Sequence, residues 1–239
     1  MLVERRVAGI LLAAGAGSRL GQPKATVEIG GKALAARGIA LLRAGGAQPV
    51  VVVTGAVAVD LPGVLTVHNP DWRTGMGSSL AAGLATVPDD CAAAVIALVD
   101  QPLVGAAAVG RLIAAYRAGA SVAVATYDGA PRNPVLIARR HWPAVTALAV
   151  GDAGARPFLR AHPELVTPVE CGDTGSADDV DTPADLERIA GQAAVTDQAA
   201  VTGQAAVTGQ AAVTDQAAVT GQAAVTDQAR PGSAAKRQD

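Results

Sequence analysis

Hydrophobic positions along this chain fall into short runs that alternate between two periods. Val7 to Leu12 is a continuous apolar stretch that suits a β-strand and then breaks into small residues. Lys32 to Arg43 (KALAARGIALLR) instead spaces its apolar residues as a helix does and stops at Gly45-Gly46. Pro49 to Thr54 (PVVVVT) is a β-branched run, as expected of a parallel strand covered on both faces. A shorter strand, Val64 to Val67, delivers His68 and Asn69 to a loop, and strand, helix and strand follow at Ala92 to Val99, Ala106 to Ala118 and Ser121 to Thr126. This βαβ rhythm predicts an α/β fold with a doubly wound, mainly parallel sheet and helices on both faces. Ligands of such sheets bind outside the carboxyl ends of the strands. A glycine-rich loop, Asn69 and Asp100 all fall at such ends.

The pattern changes near residue 190. From Ala193 to Gln228 six hexapeptides, AAVTDQ or AAVTGQ, follow one another without a break. Period six fits neither a heptad nor a 3.6-residue stripe. Read as V-T-x-Q-A-A the unit resembles the repeat of left-handed β-helices, yet so few copies, with single valines as core residues, cannot bury a core. The expectation is a domain over residues 1–190 followed by a low-complexity, disordered tail over 191–239.

Composition narrows the classes. The 50% apolar content is largely alanine and aromatics are only 2%, so the core is smaller than the percentage suggests. A net charge of −2 gives no electrostatic footprint for nucleic acid or an anionic membrane. No run reaches the length of a membrane span. Arg5 and Arg6 before an apolar run look superficially like a signal peptide, but the run leads into the glycine loop and reads as the first strand. Cys91 and Cys171 form no C-x-x-C unit and suit a reducing compartment, so the expected location is the cytoplasm.

Ile10 to Lys24 (ILLAAGAGSRLGQPK) carries the chemistry. Glycines at 15, 17 and 21 let the backbone approach an anion, and Arg19 and Lys24 supply positive charge for phosphate oxygens. Three readings compete: a tight connection with no ligand, a dinucleotide loop one residue longer than G-x-G-x-x-G, and a nucleotidyltransferase loop. The dinucleotide reading wants a helix opening inside the loop, where Pro23 stands, and an acidic residue about 20 positions on, where Gly31 to Ala47 has only basic charges. The nucleotidyltransferase reading uses all the residues.

Further along, Asp100 ends an apolar run and is followed by Gln101-Pro102, so it reads either as a turn aspartate or as a ligand for a hard cation such as Mg2+ bridging phosphates. Asp181 is the expected second carboxylate, although its segment also reads as the start of a helix Pro183 to Ala190 with Thr182 as cap. Ser78 or Ser79 suits a helix N-cap, and a helix start behind small residues also suits a nucleotide. Tyr127 to Ile137 looks like a turn leading into a strand. Gly151 to Arg156 opens a helix with Asp152 as its N-cap. His68, His141 and His162 lack metal-ligand spacing and read as surface or packing residues.

The pattern A-A-G-x-G-x-R-hydrophobic-G-x-x-K resembles the signature loop of the MobA-like nucleotidyltransferases, and in particular the molybdenum cofactor cytidylyltransferases. Asn69 to Leu80, Val99-Asp-Gln-Pro102, Gly151 to Arg156 and Asp179-Val-Asp-Thr-Pro183 resemble the same family in the same order, over about residues 5 to 190. The resemblance implies a Rossmann-like nucleotidyltransferase fold. It implies nucleotide contacts at Leu12, Ala13, Ala14, Gly15, Ala16, Gly17, Arg19, Lys24, Asn69, Gly77, Ser78 and Ser79. It also implies Mg2+ at Asp100 and Asp181, and an acceptor side including Asn133 and Arg156. Where cytidylyltransferases often show Gly-His-Pro, this chain has Arg132-Asn133-Pro134, a departure on the acceptor side.

The implied reaction is Mg2+-dependent transfer of CMP from CTP to the terminal phosphate of a molybdopterin-type cofactor, with Arg19, Lys24 and Asp100 as the catalytic set. An acceptor phosphate is already ionised, so no general base is needed. Molybdoenzymes or their chaperones are the protein partners this would bring. The alternatives are a guanylyltransferase using GTP and a molybdopterin or phospholactate-type acceptor, an NAD(P)-dependent oxidoreductase using the glycine loop, and a nonenzymatic nucleotide-binding regulator.

Overall fold

The computed structural model describes residues 6–192; the repeat tail lies outside them. Nine strands and six α-helices are named here in chain order. They are β1 (Arg6–Leu12), β2 (Glu28–Ile29), β3 (Lys32–Ala33), α1 (Leu34–Ala44), β4 (Val50–Thr54), β5 (Leu65–His68), α2 (Met76–Thr86), β6 (Cys91–Leu98), α3 (Ala106–Arg117), β7 (Val122–Tyr127), β8 (Ala130–Ala138), α4 (Trp142–Leu148), α5 (Arg156–Ala161), β9 (Val166–Glu170) and α6 (residues 183–192).

Seven strands form one sheet in the order β5-β4-β1-β6-β8-β7-β9. All neighbours are parallel except β8, which runs antiparallel to β6 and β7. The expected mainly parallel sheet is therefore present, with one reversed strand. Asp128-Gly129 makes the reversal: both residues have positive φ, 52° and 74°, between the paired residues Tyr127 and Ala130. That is the Asp-Gly two-residue turn whose twist matches flanking strands.

Period two along the central strands feeds two separate cores. On β1, Val7 and Leu11 join α1 and α3 residues such as Leu42 and Leu112 on one face. Ala8, Ile10 and Leu12 join Leu80 and Leu84 of α2, Trp142 and Phe158 on the other. Val51 and Val53 share that second face, while Val52 belongs to the first, so β4 is buried on both sides as its β-branched run requires.

Three boundaries depart from the sequence reading. Lys32 and Ala33 are not helical; Gly30 and Gly31, both at positive φ, turn them back against Glu28 and Ile29 as β3. His68 lies within β5, paired with Thr54, rather than in the loop. Gly151 to Arg156 holds a separate one-turn segment, Gly151–Ala153, before α5 begins at Arg156. Cys91 and Cys171 are free and buried. Among the described residues no helix is long and apolar enough to cross a membrane.

Candidate functional site

The glycine loop leaves β1 at the carboxyl edge of the sheet, anchored on both sides. Leu12 accepts from the Val99 amide at 3.1 Å, the Ala13 amide donates to Val53 at 2.9 Å, and Ala14 accepts from the Ala56 amide at 3.0 Å. Past that point the amides of Gly15, Ala16 and Gly17 donate to no described group, which leaves them available to an anion. Gly17 has φ +62°, and a Cβ there would lie 2.1 Å from the Gln22 carbonyl oxygen, so only glycine lets the loop fold back on itself.

That fold-back aims two cations at two carboxylates. Lys24 Nζ donates to Asp100 Oδ2 at 2.6 Å and also to Asp181 Oδ1, while Arg19 Nη1 stands 3.2 Å from Asp181 Oδ2. Lys24 is largely buried, whereas the Arg19 side chain is 75% exposed even while paired with Asp181. Burial disfavours the Lys24 charge, but Asp100 and then Asp181 more than offset it and raise its pKa. The Val180 amide donates to the Asp100 carbonyl at 2.8 Å, which fixes the 179–181 segment beside the end of β6. Asp179 stands next to this cluster, where burial first, and then the Asp100 charge, push its carboxyl above the usual range.

The acidic pair fits a hard divalent cation. Both carboxylates converge on one point, now held by an ammonium, and such a cation is typically held by one or two carboxylates with phosphate oxygens and water. Among the described residues no group of three or more His, Cys, Asp and Glu side chains gathers around a common point.

The second expected nucleotide segment turns inward. Asn69 is 3% exposed; its Nδ2 donates to Ser78 Oγ at 2.9 Å and Ser79 Oγ at 3.0 Å, and its Oδ1 accepts from the Asp71 amide. These three side chains tie the end of β5 to α2. Neither serine is the N-cap: α2 begins at Met76 after Gly75, which places both serines inside its first turns. The Met76 amide is met instead by Asp152 Oδ1 at 3.3 Å, so Asp152 serves α2 rather than its own segment. Gly77 is buried against the same stretch, where a Cβ would meet the Ala149 carbonyl oxygen at 2.1 Å.

Beside this junction a cavity of about 380 Å³ opens, and it brings together the two expected acceptor residues, Asn133 and Arg156. The β7–β8 pairing passes from Val124–Val135 to Thr126–Pro131, so Arg132, Asn133 and Pro134 sit in a bulge opposite Ala125. Bulges re-aim side chains, and Arg132 and Asn133 both line the cavity. Gln101 and Asp179 lie on the same lining and were not singled out by sequence reasoning. Their signal was adjacency: each lies within two residues of an aspartate already chosen. Thr182 does cap α6 as expected, with Asp185 Oδ2 accepting from the Thr182 amide and Thr182 Oγ1 accepting from the Asp185 amide. The histidines also follow expectation, His141 and His162 packing against the Phe158 ring.

Comparison with known proteins adds the family. Residues 9–166 match the MobA-like NTP transferase domain. A nicotine blue oxidoreductase of Paenarthrobacter nicotinovorans is 40% identical over 202 residues, covering 77% of this chain and 96% of that protein. A molybdenum cofactor guanylyltransferase of Xanthomonas euvesicatoria pv. vesicatoria is 39% identical over 114 residues, 48% of this chain and 57% of its own length. Among solved structures, the homologue of Mycobacterium tuberculosis Rv0371c from Mycobacterium sp. strain JC1 superposes with a TM-score of 0.70 at 31% identity, covering 79% of this chain and 98% of that one.

Proposed function

The chain belongs to the MobA-like NTP transferase family, and from that premise we propose that it transfers CMP from CTP to the terminal phosphate of a molybdopterin-type cofactor, releasing pyrophosphate. The observation that carries this reading is the meeting of Lys24, Asp100 and Asp181 beside the unengaged amides of Gly15 to Gly17. In this reading the loop amides and Arg19 hold the triphosphate, and Lys24 moves from the carboxylates to the phosphates when substrate arrives. Asp100 and Asp181 would hold a divalent ion, Mg2+, which would supply charge neutralisation for the nucleotide phosphates. Asn133 and Arg156 line the space where the acceptor lies in line with the α-phosphate. Positioning and fixed charge account for the catalysis without a general base.

The choice of CTP rests on the Ala13-Ala14-Gly15 form of the loop. GTP is the competing nucleotide, because one relative is named a molybdenum cofactor guanylyltransferase. The test is pyrophosphate release with Mg2+ and reduced molybdenum cofactor, comparing CTP, GTP and ATP on the wild type and Asp100→Ala. CTP-selective release abolished in Asp100→Ala supports the reading; GTP-selective release changes the nucleotide; no release despite saturable CTP binding removes the acceptor.

A second reading has its own support. The relative that is 40% identical over 96% of its length is named an oxidoreductase. On this reading the glycine loop holds the pyrophosphate of a nicotinamide dinucleotide and the adjoining cavity holds the compound reduced. Micromolar NADPH binding without Mg2+, seen by fluorescence, favours it.

A further inference from the structure

Trp72 stands where three chain segments converge beside the glycine loop. A Cβ on Gly55, just past the end of β4, would lie 2.6 Å from Trp72 Cβ and 2.8 Å from Ala14 Cβ, so only glycine at 55 lets the indole seat against the loop. The Ala56 amide donates to the Ala14 carbonyl at 3.0 Å and closes the same junction. The turn that carries the tryptophan is fixed from its own side: Asn69 Oδ1 accepts from the Asp71 amide at 3.0 Å, and the Gly75 amide donates to the Trp72 carbonyl at 3.2 Å. Trp72 is half-buried, and the exposed Arg73 lays its guanidinium over it, with Cζ 4.5 Å from the ring centroid. Cation–π attraction holds the guanidinium there, and among the described residues no carboxylate pairs with it. Its N–H groups therefore stay open to a ligand.

The sheet decides which part of a nucleotide these residues meet. Asp100 and Asp181 stand on the β6 side of the loop, and the cavity with Asn133 and Arg156 opens beyond them against β6, β7 and β8. Trp72 and Arg73 stand on the other side, past the ends of β4 and β5. When the phosphates of a nucleotide lie on the amides of Gly15 to Gly17, the acceptor fills the first side. The second is left for the nucleoside.

We propose that Arg73, held over Trp72, is the specificity-determining residue for the base of the nucleotide. Its planar fork donates to two neighbouring acceptors on one edge of the base, a carbonyl oxygen and an unprotonated ring nitrogen. Cytosine presents that pair as O2 and N3, and guanine as O6 and N7. Adenine sets an amino group, and uracil an N–H, beside its acceptors, so neither satisfies the fork. The inference rests on the nucleotidyltransferase reading above and adds the side chain that recognises the base.

The test is calorimetric titration of the full chain, with Mg2+ and without acceptor, by CTP, GTP, ATP, UTP and tripolyphosphate. Wild type is compared with Arg73→Lys, which keeps the charge and removes the fork. In wild type CTP or GTP is expected to bind at least about tenfold more tightly than ATP and UTP, the discrimination of one bidentate pair, and the tighter of the two identifies the base. In Arg73→Lys that margin is expected to fall to about one, while tripolyphosphate, which has no base, binds as it does to wild type. ATP or UTP binding as tightly as CTP and GTP, a margin that survives in Arg73→Lys, or an equal loss of nucleotide and tripolyphosphate affinity in the variant would overturn the inference. Pyrophosphate release with reduced molybdenum cofactor on the same samples separates the two levels. A margin lost in Arg73→Lys, with no release from any nucleotide, keeps Arg73 as the reader of the base and removes the proposed acceptor. Release with an unaltered margin keeps the reaction and removes the role of Arg73.

Discussion

Lys24 Nζ lies 2.6 Å from Asp100 Oδ2, joining two residues 76 positions apart at the carboxyl edge of the sheet. The same ammonium reaches Asp181, so one cation occupies the point where both acidic side chains meet. It thereby stands in competition with any divalent ion for those oxygens. In Lys24→Met the two carboxylates lose their shared counter-ion, and Mn2+ measured by electron paramagnetic resonance without nucleotide should bind about tenfold more tightly. Pyrophosphate release by the same variant should fall by about 10²–10³-fold, the usual effect of removing one donor to developing charge. Unchanged Mn2+ affinity would show that the lysine and the ion do not share a position.

Asp100→Asn keeps the shape of the side chain and removes its charge. Metal-dependent pyrophosphate release should drop by at least about 10²-fold, and Mn2+ binding in the presence of nucleotide should weaken in parallel. A variant that loses turnover while binding Mn2+ normally would move the carboxylate to a different role.

Gly77→Ala should destabilise the protein although alanine favours helices. The added Cβ would lie 2.1 Å from the Ala149 carbonyl oxygen, a backbone atom that cannot swing aside. Overpacking of this kind costs about 1–3 kcal/mol, readable as a lower urea midpoint. Gly15→Ala is the control: a Cβ there meets nothing within 4 Å, and the midpoint should stay close to wild type.

Acid sensitivity has a specific contributor at Glu170. The Gly172 amide at 2.8 Å, and then Thr126 Oγ1 at 2.8 Å, donate to its carboxylate and lower its pKa from the ordinary 4.5. A carboxylate with a depressed folded-state pKa contributes stability above its unfolded value, and loses it as pH falls through the folded one. Melting temperature should therefore fall below about pH 4.5 more steeply in wild type than in Glu170→Gln. Parallel profiles for the two proteins would exclude this carboxylate as a contributor.

The sheet and the cluster at its carboxyl edge were legible because they depend on local pattern: a β-branched run at Val50–Thr54, glycines followed by the cations Arg19 and Lys24, and an isolated aspartate after β6. Asp100 and Asp181 do meet, and Asn133 does share a cavity with Arg156. What stayed hidden depends on contacts between distant segments. Ser78 and Ser79 look like caps in isolation, yet Asn69 claims both hydroxyls, and the cap of α2 comes from Asp152, 76 positions later. The buried oxygen of the Gln101 amide, which meets no donor among the described residues, is likewise invisible in sequence, since it follows from which of two amide atoms faces the 177–179 segment. The turn and the strand that follows it were read at Tyr127 to Ile137, but the reversed direction of β8 is carried by a single Asp-Gly pair within that turn.

The carboxylate of Asp152 at the start of α2, with Gly77 pressed against Ala149, also bears on how such a protein diversifies. Helix α2 and the segment leading to Arg156 form one mechanical joint. Any change that lengthens or reshapes residues 149–155 must shift that helix as well. Substitutions in the bulge at Arg132 and Asn133, by contrast, alter the cavity lining without touching the Asp152–Met76 contact.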